Sequence, residues 1–262
     1  MLESNSKILI DSHTHLDQYS KNDLSELLSR AKSHNIERII VAGINIHSSQ
    51  QIMDMINTYP NFLYAGVGIH PMEIQDSMNV NDLQNIEKLV NTPNVVCISE
   101  IGLDYEVATA TQDLQKTFFR NQLQIAQDHK KTVVFHNRGA GLDPIKIIGE
   151  EVNNGVDVVA HYFQGTKGYA YSCLDSGMYL SISKTVLRLP ELQDLIRYEL
   201  PLDRIILETD SYPQPFKKNR MAWTEPWQLT LIARKIAELK DLEFEEVCRT
   251  TTANSNFLFG WN

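Results

Sequence analysis

Eight short runs of branched apolar residues recur along the chain with starts 23 to 37 residues apart, and this rhythm constrains the fold more than any other feature. They are KILI (7–10), RIIV (38–41), FLYAGVG (62–68), VVCIS (95–99), TVVF (132–135), VDVVA (156–160), YLSIS (179–183) and RIILE (204–208). Each is nearly continuous rather than alternating, as strands buried on both faces are. The interval is that of a strand, a loop and a helix. Amphipathic stretches fill the gaps: NDLSELLSRAKSHN (22–35), LQKTFFRNQLQIAQDHK (114–130) and EPWQLTLIARKIAEL (225–239). No Ser/Gly linker or low-complexity tract divides the chain. The spacing predicts a (β/α)8 barrel in a single domain of 262 residues. An open doubly wound sheet is the alternative, weakened because no GxGxxG follows the first run.

The runs end in reactive residues. The first leads into His13 and His15, the third into His70, and the fourth into Glu100 and Asp104. The fifth leads into His136 and Arg138, the sixth into His161, and the eighth into Glu208 and Asp210. Five of the eight histidines thus follow predicted strands, where barrel active sites are built. His13 and His15 are two apart, so in extended backbone both face the same way. Four imidazoles with a Glu and an Asp suit Zn²⁺, Mn²⁺, Fe²⁺, Co²⁺ or Ni²⁺. Mg²⁺ prefers oxygen alone but fills such sites where it is available. Six ligands exceed one catalytic zinc and match two ions sharing a carboxylate, with Glu100 the natural bridge. His34 and His129 fall near helix C-termini and read as structural; the role of His47 is open.

A net charge of −9 excludes a broad basic face gripping nucleic acid, but not a local anion trap. Two divalent ions against two ligand carboxylates leave that trap positive. No apolar run is long enough for a membrane span. The start, MLESNSKILI, does not read as a secretory signal. Cys97, Cys173 and Cys248 are odd in number and far apart, which fits a reducing cytoplasm.

Taken in order, DSHTHLD, GIHP, SEIGLDY, FHNR, AHYFQG, LETDS and TTANSNFLFG resemble the TatD-family metal-dependent deoxyribonucleases, which are amidohydrolase-like TIM barrels. The resemblance spans essentially the whole chain. It implies one ion held by His13, His15, Glu100 and Asp210, and a second by Glu100, His136 and His161. The chain departs from the family pattern at Met72, at Asn137 and Gly139, at Tyr162 and at Tyr212-Pro213. All lie outside the ligand set, so hydrolysis is expected and substrate preference is open.

The expected activity is two-metal hydrolysis of a phosphodiester, by a deoxyribonuclease with exonuclease action. Asp210 would orient the attacking water and accept its proton, and Glu100 would join the ions. Arg138 would clamp phosphate, His70 would serve the substrate or support the centre, and Tyr105 or Tyr162 would stack on a base. The basic run PFKKNR (215–220) would touch the nucleic-acid backbone. Asp11 and Asp17 would orient the imidazoles. The expected partner is single-stranded DNA or another phosphoester, with no membrane and no obligate protein partner. Two other readings remain: the same metals acting on a C–N, C–O or small phosphoester bond, and a metal-dependent binding protein without turnover.

Overall fold

Strands buried on both faces need parallel neighbours and a covering of helices, and the chain builds both in sequence order. The computed structural model describes residues 7–153, 155–217 and 222–261. Its eight strands are β1 (Leu9–Thr14), β2 (Ile36–Ala42), β3 (Leu63–Val67), β4 (Val95–Asp104), β5 (Thr132–Arg138), β6 (Val158–Ala160), β7 (Tyr179–Ile182) and β8 (Ile205–Leu207). They pair in parallel, each with the next. Closure of β8 on β1 runs through a Thr14–Ser211 bridge. There His15 N–H donates to the Ser211 carbonyl (2.8 Å) and Asp210 N–H to that of His13 (3.0 Å). The expected barrel is therefore observed.

The covering helices are α1 (Lys21–Ser33), α2 (Ile46–Thr58), α3 (Gln84–Val90), α4 (Gln112–His129), α5 (Asp143–Glu151), α6 (Lys167–Asp175), α7 (Pro190–Tyr198), α8 (Leu229–Lys240) and α9 (Phe244–Phe259). Local chemistry starts them. The Ser20 hydroxyl caps α1, which buries Leu24, Leu27, Leu28 and Ala31, and Thr111 caps α4 over buried Phe118, Phe119 and Leu123. The helix expected from residue 225 begins later. Glu225 is extended and clamped by both oxygens to Arg30 (2.7 and 2.9 Å). Pro226–Gln228 form a 3₁₀ turn, and α8 starts at Leu229.

One residue from each of β2 to β8 joins an inner cluster, from Ile40 and Tyr64 round to Tyr179 and Ile206. Leu258 and Phe259 at the end of α9 pack against it, so the barrel is filled rather than hollow.

Three strands outrun their apolar runs, and this positions the site. β1 carries His13 within it, β4 continues through Glu100 to Asp104, and β5 continues to Arg138. Polar residues join the ladder because they pair: Gly102 with His136, Leu103 with Asn137, Asp104 with Arg138. Gly102 permits this approach. Its φ is +142°, and a Cβ there would meet the His136 carbonyl oxygen at 2.1 Å. Gly102→Ala is accordingly expected to cost about 2 kcal/mol or more, lowering Tm by about 4–8 °C in thermal melts followed by circular dichroism.

Candidate metal centre

The side chains at the C-terminal rim converge on one buried carboxylate. Glu100 Oε2 lies 3.4 Å from His13 Nε2 and 3.4 Å from His15 Nε2. Its Oε1 lies 3.1 Å from His136 Nδ1, 3.4 Å from His161 Nε2 and 3.4 Å from His70 Nε2. Asp210 Oδ1 stands 3.4 Å from His15 Nε2. The two oxygens of Glu100 therefore divide the imidazoles into a β1 group and a group from β3, β5 and β6. All six expected ligand residues are brought together.

Fixed partners decide which ring nitrogen faces inward. His15 Nδ1 donates to the Ala42 carbonyl (3.2 Å), which leaves the Nε2 lone pair toward Glu100 and Asp210. His161 Nδ1 lies 3.0 Å from Glu208 Oε2, so Nε2 again faces the centre. His136 is turned the other way, with Nε2 3.3 Å from Asp104 Oδ2 and Nδ1 inward. Asp104 is itself anchored, because its Oδ1 accepts the N–H groups of Glu106 (3.0 Å) and Val107 (2.8 Å). Carboxylates behind ligating imidazoles fix their orientation in just this way. His70 differs. Its Nδ1 accepts the Met72 N–H (3.1 Å), so Nε2 carries the proton and offers a donor rather than a lone pair.

Among the described residues, neither ring nitrogen of His13 makes a hydrogen bond, although the residue is fully buried. It stacks on His161 with ring centroids 3.7 Å apart. Burial and the neighbouring His161 both lower its pKa, so it is a neutral donor waiting for an electrophile. The spacing agrees: donors about 2.0–2.1 Å from a tetrahedral ion stand about 3.3–3.4 Å from each other. Three triads among the described residues, His13–Glu100–His161, His13–His15–Asp210 and His70–Glu100–His136, bring their ligand atoms within 4.8 Å of one another. A divalent ion fits this donor set.

The remaining predicted residues are placed as follows. His70, Arg138 and Tyr162 line a cleft of about 350 Å³ with Glu100 and Asp210. Arg138 Nη1 lies 3.7 Å from Asp104 Oδ2 and its side chain is half-exposed. Tyr105 lies outside that cleft, with its hydroxyl on Asp143 (2.8 Å) and Lys116 over its ring. Asp11 does not reach an imidazole; its carboxylate takes the N–H (2.8 Å) and hydroxyl (2.6 Å) of Thr209, lashing β1 to the end of β8. One oxygen of Asp17 is buried without a hydrogen-bond partner among the described residues. His129, the last residue of α4, bonds Asn91, and His34 caps α1. His47 is exposed at the start of α2. Of PFKKNR, residues 218–220 fall outside the described residues.

Two supporting carboxylates, and one half-buried lysine near the rim, were not singled out from sequence for the places they take. Asp104 and Glu208 were visible as strand-end carboxylates, without a sign that they stand behind the imidazoles. Lys184, two residues past the end of β7, is half-buried, with its ammonium on the Thr224 hydroxyl and 5.9 Å from the Tyr212 ring. Its position after YLSIS was the available signal.

A filled parallel barrel whose strand ends gather imidazoles around one shared carboxylate defines a metal-dependent hydrolase. Residues 10–260 match the TatD related DNase family, and the chain belongs to that family. It is 37% identical to the uncharacterized metal-dependent hydrolase YabD of Bacillus subtilis, over 97% of this chain and 100% of that one. It is 29% identical to the 3'-5' ssDNA/RNA exonuclease TatD of Edwardsiella piscicida, over 90% and 93%. The crystal structure of YjjV, a TatD homolog from Escherichia coli, superposes with a TM-score of 0.85 over 98% of this chain and 100% of that one. Its 23% identity speaks to the fold alone.

The electrostatics give a signed expectation for the chelator-treated protein. Burial, opposed by His13 and reinforced by Asp210 and Glu100, pushes the Glu208 carboxyl up to about 8. Burial alone would lower His136, but Asp104 and Glu100 outweigh it and hold the ring up to about 9. Glu208 binds its proton more tightly when folded, so its contribution falls as pH rises from 4.5 to about 8. The His136 contribution is complete below 6.5 and is lost as pH rises through about 9. Both fall together above pH 6.5. Urea melts of chelator-treated protein are expected to lose about 1 kcal/mol or more between pH 6.5 and 9; constant or rising stability would contradict this.

Proposed function

We propose that this chain is a divalent-metal-dependent nuclease that hydrolyses the phosphodiester bonds of single-stranded DNA from the 3′ end. The observation that carries the reading is the division of the imidazoles between the two oxygens of Glu100. The family and the named activity of the exonuclease relative supply the substrate class and polarity. One ion would be held by His13, His15, Glu100 and Asp210, and a second by Glu100, His136 and His161. The bound ions, Zn²⁺, Mn²⁺, Mg²⁺, Ni²⁺ or Fe²⁺, would supply Lewis acidity, activating water and neutralising phosphoryl oxygens.

The chain's own residues do the rest. Burial alone would raise the pKa of Asp210, but its hydrogen bond to His15 and the charges of His15 and His161 hold it at about 2. It is therefore ionised at neutral pH, facing the cleft, and able to orient the attacking water and accept its proton. The Arg138 guanidinium at the cleft edge matches phosphate oxygens with a planar fork. His70 Nε2–H lies 3.4 Å from Glu100 Oε1 and would be positioned to donate to a phosphoryl oxygen. Asp104 and Glu208 hold the rings of His136 and His161. The three cysteines are unpaired and buried, which suits a reducing compartment, and we assign the chain to the cytoplasm.

Two sets of measurements test the reading. Single strands labelled at the 5′ end should shorten stepwise with Mn²⁺, Mg²⁺ or Zn²⁺ supplied, and 3′-labelled strands should release a labelled mononucleotide. Asp210→Asn should lower kcat by about 10²–10⁴-fold. Preferential hydrolysis of lactones, amides or phosphotriesters over DNA would favour the amidohydrolase-type alternative instead. Asp104→Ala and Glu208→Ala should each weaken Zn²⁺ affinity by about 10–100-fold in chelator competition, while unchanged affinity would remove them from the centre.

A further inference from the structure

Two cavities open side by side at the rim. The cleft of about 350 Å³ contains Glu100 and Asp210, and its neighbour of about 510 Å³ lies between the segments that follow β5 and β6. His136, Arg138, His161 and Tyr162 line both, so the two spaces share a wall. Nothing in the hydrolytic chemistry calls for the larger one.

Tyr162 stands on that wall in an unusual backbone state. Its φ is +47°, in the left-handed region that a bulky side chain adopts only under constraint. The constraint is visible: Glu208 Oε1 accepts its N–H at 2.9 Å, while the other oxygen holds His161. The phenol ring lies 5.7 Å from the His161 ring. Strain of this kind persists where a side chain must be aimed.

The far side of the larger cavity is also aromatic and braced. Phe163 and Tyr169 are near-parallel, 11° apart with centroids at 6.0 Å. The Asn137 amide donates to the Tyr169 hydroxyl (2.7 Å) and to the Gly141 carbonyl (3.0 Å), tying ring to loop. At Gly165 a Cβ would stand 2.5 Å from Tyr169 Cδ1, so the glycine makes room for that ring. Half-exposed Arg138 lies where the cavities meet.

We propose that the larger cavity receives the unpaired base of one nucleotide flanking the scissile phosphodiester, with Tyr162 as its stacking surface and Arg138 holding the phosphate between the cavities. The proposal rests on the nuclease reading of the centre. A volume of about 510 Å³ lies in the range of small-molecule sites and is large enough for one splayed nucleoside. A base received there must be unpaired, which ties the site to single strands.

The test measures kcat/KM of the Mn²⁺-loaded enzyme on single strands bearing an abasic tetrahydrofuran unit at either side of the bond cut, relative to the intact strand. Bis(p-nitrophenyl) phosphate serves as a base-free phosphodiester. In the wild type and Tyr162→Phe, an abasic unit at one flank should lower kcat/KM about tenfold. In Tyr162→Ala, and in Gln164→Trp, which fills the cavity, that penalty should shrink below about twofold. Each ratio is internal to one variant, so loss of folded enzyme cancels. Absence of a penalty at both flanks, or an equal penalty in Tyr162→Ala, overturns the base site while hydrolysis of both substrates leaves the nuclease reading standing. If the wild type hydrolyses neither substrate, the nuclease reading falls and the base site falls with it.

Discussion

The rim depends on a single buried carboxylate. Glu100 is almost wholly shielded from water, and a lone ion there would cost several kcal/mol. Burial acts to raise its pKa, yet the surrounding imidazoles, chiefly His70 and His161, and the hydrogen bond from His136 hold it well below the usual carboxylate range. The same arrangement forces strand geometry. Imidazoles reach Glu100 from β1 and from the ends of β3, β5 and β6 only if β4 carries it inside the ladder, and Gly102 lets β5 close on β4 beside it.

Behind the imidazoles stands a ring of fixed acceptors: the Ala42 carbonyl, Asp104 and Glu208. They settle which nitrogen each ring turns inward, Nε2 for His15 and His161 and Nδ1 for His136. The Met72 N–H does the reverse for His70 and makes it a donor. Glu208 also holds the Tyr162 backbone, so one carboxylate orders both the centre and the wall between the cavities. Met72, Asn137, Gly139, Tyr162 and Tyr212, where the chain departs from the TatD pattern, all line one or both cavities.

Much of this was legible in the chain itself. The eight apolar runs located the strands, and the residues that follow them named all six members of the cluster. Strand lengths were less legible, because β4 and β5 continue on polar residues whose pairing partners lie about 35 positions away. Glu208 and Asp210 illustrate a subtler limit. Two apart, they would share a face in a regular strand, but β8 ends at Leu207 and Asp210 has a φ of +49°. The carboxylates therefore diverge, one behind His161 and one before His15. No spacing rule distinguishes them. Tyr105 and Asp11 went elsewhere for a similar reason, since Asp143 and Thr209 lie 38 and 198 positions from them.

Paired ions on a shared carboxylate are the centre proposed for this chain. The most direct measurement is elemental analysis by plasma mass spectrometry, on protein stripped with chelator, reconstituted with Zn²⁺ or Mn²⁺ and desalted. Two ions per chain are expected, and retention of one ion or none would contradict the shared-carboxylate centre.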